Sequence, residues 1–577
     1  MSVDGSPHVP LHLRRFVVTQ DYAAYTAVDQ AVWRFVLLQM RARLSETAHP
    51  AYRDGLAAAG ISVERIPSIA EMNEKLAHFG WGAVCVDGFI PPRAFQEFQA
   101  RGLLPIAADT RTREHIAYTP APDIIHEAAG HAPILAEAAY ASYLRRIGEI
   151  GKLAFTLPEE ERVFQASYLL SEVKEDPNRN PDNVARVEAE LAEALASVPE
   201  DSEATWLSRL YWWTAEYGLV GKIGDYRMYG AGLLSSLGES HFCHAPSVRK
   251  LPLDAACVEV GYDITRPQPQ LFVARDFEQL HDVLDRVTKR LAVTLGGRVA
   301  LERALASGEL ASLRFSSGAW GMGVLREVGP NLDAPAWLRL AGPAAVAWDG
   351  RIHIAQRGLR PREQWLLPGA LVAGVTLEGL IARAAETGER FRVALSHGAR
   401  VSGRFLRAER DEDGRVLHVE LGDARLELPE HAPVTLENYA FVPLGEFVTA
   451  HAGAVDPTFH AETAFPDVRV PKPRPRSERE ASMIARYERV AALRAERDER
   501  PSAVLEPAAA LAALHDELAA DHPREWLLRW NLLELSLRVP GMETFAHTLA
   551  GELEALELAF ERREPIAMGL EFLRRRS

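Results

Sequence analysis

The apolar pattern of this chain changes period near residue 310, so one architecture cannot serve both halves. Before that point, helix-like segments are broken by Gly/Pro loops. Residues 21–45 (DYAAYTAVDQAVWRFVLLQMRARLS) predict an amphipathic helix with Tyr25, Val28, Val32, Phe35 and Val36 on one side. β-like pieces such as GAVCVDGF (82–89) and QLFVARDF (270–277) are short and few. After 310 the pattern alternates. RFRVALSHGARVSGRFLRAERDEDGRVLHVELGDARLEL (390–428) carries a turn at DEDG, and AVAWDGRIHIA (345–355) predicts a hairpin around Asp349-Gly350.

A chain of 577 residues exceeds one ordinary core. The expected layout is a mainly α domain over 1–305, with a helical, solvent-facing insertion at about 155–205, and then a β-rich domain over 310–460. A stiff Pro-rich linker (461–477) would follow, and a helical C-terminal domain (478–577) built on segments such as WLLRWNLLELSL. Interdomain faces are expected to be modest and polar, leaving 1–305 self-sufficient. His397, His431, His451 and His460 lack ligand-like spacing and read as ordinary surface residues.

The net charge of −15 argues against a broad nucleic-acid-binding face. Three cysteines without a CxxC pair favour reduced thiols. The opening MSVDGSPHVPLHLRR has no apolar leader region, and no run approaches 18 uninterrupted apolar residues. The expectation is a cytoplasmic protein with neither nucleic-acid nor membrane partners.

The densest chemical signal is TPAPDIIHEAAGHAPI (119–134), with His126 and His131 around Glu127 and Gly130. A zinc-protease HExxH motif needs its second histidine four residues on, where this chain has glycine. A spacing of five rotates the second imidazole by about 140° on a regular helix. Both can meet one metal only if the backbone departs from that helix, a departure that the freedom of Gly130 would permit. Two imidazoles and one carboxylate on one face of Fe(II) would leave positions open for O2 and a cosubstrate. Glu216, in LYWWTAEYGLVGKIGDYRMYGAGLLSSLGE (210–239), is a candidate carboxylate because an unpaired charge among aromatics is costly. The residues alone leave the alternatives open: helix-surface or core histidines, and a glutamate on a solvated helix edge.

Several motifs in order resolve this. RIPSIAEMNEKL (65–76), VDGFIPPRAF (86–95), PDIIHEAAGHAPIL, WWTAEYGL, YGAGLLSSLGE and PQPQLFVARDF (267–277) resemble the pterin-dependent aromatic amino acid hydroxylases. The resemblance spans about 60–290 and implies a monooxygenase using Fe(II), O2 and tetrahydrobiopterin or a related tetrahydropterin. It assigns His126, His131 and Glu216 as iron ligands; Phe95, Gly88, Ile90 and Glu127 to the pterin; and Glu127 and Tyr211 to catalysis near the iron. Arg111, Asp123 and Thr119 fall at the substrate's α-carboxylate, and Trp212, Gly230, Ser235 and Ile264 around the ring and the first histidine. Pro91-Pro92 and Pro105 depart from the family's usual residues in the pterin region. Ile264, with Asp263 adjacent, takes the place where an acidic residue accompanies tyrosine as substrate. An apolar wall there disfavours a phenol. L-Phenylalanine is the expected substrate, with tryptophan the runner-up and a non-catalytic scaffold the alternative from another class.

Overall fold

The computed structural model describes residues 7–117, 123–175, 180–264, 267–355, 363–460, 477–499, 506–556 and 560–575. Thr119 and nearly all of the Pro-rich linker, residues 461–476, lie outside them.

Helix α1 (Ala27–Thr47) starts at a reciprocal cap: Thr26 accepts from the Asp29 amide, and Asp29 accepts from the Thr26 amide. Instead of one apolar stripe, every residue from Ala31 to Met40 is buried. The reason is tertiary. The N-terminal core covers one side, and C-terminal helices, Trp526–Ser536 among them, cover the other.

Next comes a short parallel pair, Gly82–Val86 with Leu103–Ala107, connected through α2 (Pro92–Ala100). Pro92 suits the first turn of α2, where an amide proton would find no partner. Helices α3 (Pro158–Glu175) and α4 (Pro181–Ala196) form a hairpin tied by Lys174 Nζ to Glu188 at 2.9 Å. Helix α5 (Glu203–Tyr211) follows, with a small sheet ordered Asp225–Met228, Leu219–Lys222, Gln270–Ala274, Arg249–Pro252.

From residue 310 the chain is β-rich, as the alternation predicts. One sheet runs Arg351–Ala355, Trp337–Trp348, Trp320–Gly329, Leu310–Phe315, Phe447–Ala452, with Glu363–Leu366 also paired to Trp337–Trp348. The second is a meander from Phe391–Ala394 to Val434–Phe441. Asp349 and Gly350, both with positive φ (48° and 73°), make the expected tight turn. Two histidines depart from the surface reading: His451 and His460 are buried, which pushes each imidazole down to about 4. His431 sits edge-on to Trp337 and Trp365, and His397 pairs with Glu446.

The C-terminal helices include Glu478–Glu499, Glu506–Asp521 and α6 (Trp526–Ser536). They do not form a separate body. Phe35 of α1 packs edge-to-face on Trp526 and Trp530, with centroids 5.2 and 4.8 Å apart. Arg34 reaches both oxygens of Glu534 at 3.1 Å, and both side chains are only 3% exposed. This interface is apolar with a buried ion pair, contrary to the modest polar face expected. No helix among the described residues is long and apolar enough to cross a membrane.

Candidate active site

His126 and His131 lie on a π-helical turn, Ile125–His131, whose first amides are anchored by Asp123: its Oδ1 accepts from the His126 amide at 2.9 Å. A π turn pairs residue i with i+5, so it brings together two side chains that a regular helix would splay apart. The two imidazoles stand 5.1 Å apart. Gly130 is needed for a different reason from conformational freedom, because its φ is not positive. A Cβ there would stand 2.8 Å from the Ala231 carbonyl oxygen, so glycine permits close packing against the segment carrying Ser235. Glu216 ends a second π-helical turn, Trp212–Glu216, that continues from α5.

The three side chains converge. His131 Nε2 lies 3.1 Å from Glu216 Oε1, and His126 Nε2 lies 3.2 Å from Oε2. Ser235 spends its hydroxyl proton on the Ala231 carbonyl at 2.7 Å, so its oxygen accepts from His126 Nδ1 at 2.9 Å. That fixes the proton on Nδ1 and turns the Nε2 lone pair toward Glu216, as a metal ligand requires. Burial alone would raise the Glu216 carboxyl, but His131 and His126 outweigh it and hold the group well below the usual carboxylate range. Burial opposes charge on His126, yet Glu216 carries it up to about 9. A buried carboxylate shared by two imidazoles is a donor set for a divalent cation, which would replace the protons otherwise needed at both Nε2 atoms. Beside it, burial raises the Glu127 carboxyl, whose Oε2 has no hydrogen-bond partner.

His126, Glu127 and Glu216 open on a cavity of about 420 Å³, a size that suits small-molecule ligands. Phe95, Gly88 and Ile90 line it, as do Arg111, Tyr211, Trp212, Ser235 and Ile264. Phe95 meets Tyr211 edge-to-face at 5.8 Å, and Gln99 donates to the Tyr211 hydroxyl at 2.6 Å. Arg111, 2% exposed, donates to both oxygens of Asp123, at 2.7 and 2.9 Å, and to the Ser235 carbonyl at 3.1 Å. That leaves guanidinium protons for a ligand carboxylate. Asp123 stands behind Arg111 and does not line the cavity. Gly230 does not line it either: a Cβ there would meet Glu216 O and Gly218 N at 2.4 Å, and the lining glycines include Gly232. Trp212 is stacked on Tyr262 at 4.2 Å. Sequence reasoning missed Tyr262, Gln99 and Phe164; none lies in a motif with distinctive spacing.

Among the described residues a second group could hold an ion, Glu409, His418 and Glu420 on one β-hairpin. Arg407, 2.6 Å from Glu420 and 3.8 Å from Glu409, already supplies the cation there.

Residues 19–163 and 183–296 match the family model for biopterin-dependent aromatic amino acid hydroxylases. Phenylalanine-4-hydroxylase of Pseudomonas aeruginosa is 30% identical over 262 residues, covering 81% of that protein and 44% of this chain. The chain belongs to the biopterin-dependent aromatic amino acid hydroxylases. Another member, the Mesorhizobium japonicum phenylalanine-4-hydroxylase, is 29% identical over 271 residues, covering 82% of that protein and 46% of this chain. A solved Chromobacterium violaceum phenylalanine hydroxylase with bound iron(III) and 7,8-dihydrobiopterin is 26% identical, with a TM-score of 0.37, and the match covers 49% of this chain and 93% of that one. The family-model match stops short of the β-rich region.

Proposed function

We propose that this protein hydroxylates the ring of an aromatic amino acid, converting L-phenylalanine to L-tyrosine with Fe(II), O2 and a tetrahydropterin. The observation that carries the proposal is the convergence of His126, His131 and Glu216 beside a cavity lined by Phe95 and Arg111. Those three residues would hold the iron and leave its other face open. When bound, iron and pterin together supply the electrons that activate O2.

The rest is positioning by this chain's own groups. Phe95, Gly88 and Ile90 provide an apolar bed for a planar ring. Glu127, with its raised carboxyl and unpartnered Oε2, is placed to exchange a hydrogen bond or a proton with the cofactor. Arg111, steadied by Asp123, would grip the substrate carboxylate through its free guanidinium edge. Trp212 and Ile264 would flank the aromatic ring. Ile264 lines the cavity and Asp263 does not, which supports an unsubstituted ring over a phenol. Tyr211 and Trp212 help exclude water from the reacting centre. The names of the relatives support the same substrate. Residues 1–305 would carry the chemistry, and the β-rich and helical regions would support it from outside the site.

The test is anaerobic Fe(II) loading, followed by O2 and tetrahydrobiopterin with phenylalanine, tryptophan or tyrosine in turn. Mass spectrometry should find tyrosine from phenylalanine at a higher rate than product from the other two. Faster turnover of tryptophan or tyrosine would overturn the substrate assignment.

A further inference from the structure

The family-model match breaks between residues 163 and 183, inside the α3–α4 hairpin. Helices at this position read from sequence as solvent-facing, yet the hairpin contributes to the cavity. Phe164 of α3 lines it, together with Thr156 just before α3 and Ala204 and Leu207 just after the hairpin. A Cβ on Gly88 would stand 3.7 Å from Tyr168 Cε2, one turn beyond Phe164, so α3 also lies over the Gly88 loop.

The base of the hairpin is fixed on three sides. Glu160 Oε2 accepts from the Leu157 amide at 2.7 Å, and its Oε1 accepts from Ser202 at 2.7 Å and from Thr205. Glu203 accepts from the Phe155 amide at 3.1 Å. Glu309, at the entry to the β-rich region, accepts from the Thr156 amide at 2.9 Å and pairs with Arg93 of α2, another cavity-lining residue. Three carboxylates thus lock the segment before α3 to the helix after the hairpin and to the β-rich region. A hairpin anchored this firmly at its base, with Phe164 of its unmatched part lining the cavity, is a wall of the site and not a surface decoration.

We propose that Phe164 is a further cofactor-binding residue of this protein. It forms, with Phe95 and the Gly88 loop, the apolar enclosure for the heteroaromatic ring of the pterin. The inference rests on the cofactor reading given under Proposed function.

The full-length chain is titrated with 7,8-dihydrobiopterin, followed by tryptophan fluorescence, as wild type and as Phe164→Ala, Phe164→Tyr and Phe95→Ala. Phe164→Ala should weaken binding about tenfold, in line with losing an aromatic contact in a desolvated site. Its iron content and its KM for phenylalanine should stay unchanged, and Phe164→Tyr should restore affinity. Where Phe164→Ala does not fold, Phe164→Leu keeps the bulk and should still show the pterin-selective loss. Wild-type pterin affinity in folded Phe164→Ala or Phe164→Leu, with Phe95→Ala impaired, would overturn the proposal and leave the cofactor reading intact. A loss of iron and of both affinities together would also overturn it, marking Phe164 as structural. No pterin binding by wild type would overturn the cofactor reading itself, and this inference with it.

Discussion

Ser235 Oγ lies 2.9 Å from His126 Nδ1 and gives its own proton to the Ala231 carbonyl, so one serine sets the tautomer of one imidazole of the triad. Ser235→Ala should leave the fold intact and weaken Fe(II) affinity by about 10- to 100-fold, the usual cost of losing such a supporting hydrogen bond. Competitive chelator titration measures this. Unchanged affinity would mean that packing alone orients His126.

Gly130→Ala places a Cβ 2.8 Å from the Ala231 oxygen, on the segment that ends in Ser235. Overpacking of this kind costs about 1–3 kcal/mol. Urea unfolding should show that loss, and the Fe(II) titration should show weakened binding as well. A fully stable, iron-replete Gly130→Ala protein would contradict the packing role.

Glu239 provides a pH signature. Burial pushes its carboxyl up to about 8, although the Gln268 amide and the Tyr217 hydroxyl pull the other way. The folded protein therefore keeps a proton that the unfolded chain sheds near the ordinary value of about 4.3. The stability contribution of Glu239 is fully present below that ordinary value. It falls by up to about 1.4 kcal/mol per pH unit as pH rises toward about 8, and is constant above. Glu239→Gln mimics the protonated form and should flatten this part of the stability profile, measured by urea unfolding across the window. An unaltered slope would show that Glu239 ionises normally.

Removing everything after residue 305 would strip α1 of its second apolar partner and leave Arg34 with Glu64 alone. In the full chain, where Glu534 faces Arg34, Arg494 and Arg538, removing the carboxylate of this buried cluster costs about 3–5 kcal/mol. A 1–305 fragment should therefore precipitate or melt well below the full chain. In the full-length protein, Glu534→Ala should lower the unfolding free energy by a similar amount. A soluble 1–305 fragment with full-length thermal stability would contradict this.

The sequence was legible where local chemistry is strong. Asp349-Gly350 marks its turn, the alternation after 310 marks the sheets, and the family resemblance carried by the spaced motifs assigns His126, His131 and Glu216 to one centre, where the fold clusters them. It was illegible where tertiary contacts decide. Nothing local to α1 says that its second face will meet Trp526 and Trp530, almost five hundred residues on. Gly130 looked like a conformational hinge, but its reason lies at Ala231. Phe164 sits in an Ala/Glu/Leu-rich helical stretch without a motif, and only the packing of the hairpin reveals that it faces the cavity.

The most direct measurement is single-turnover hydroxylation of L-phenylalanine under O2 and tetrahydrobiopterin by the Fe(II)-loaded wild type beside Glu216→Ala. Wild type should bind one iron per chain and yield tyrosine, while Glu216→Ala, folded by circular dichroism, should lose both the iron and the product. Tyrosine formation by Glu216→Ala at the wild-type rate, or none by an iron- and pterin-loaded wild type, would contradict the assignment.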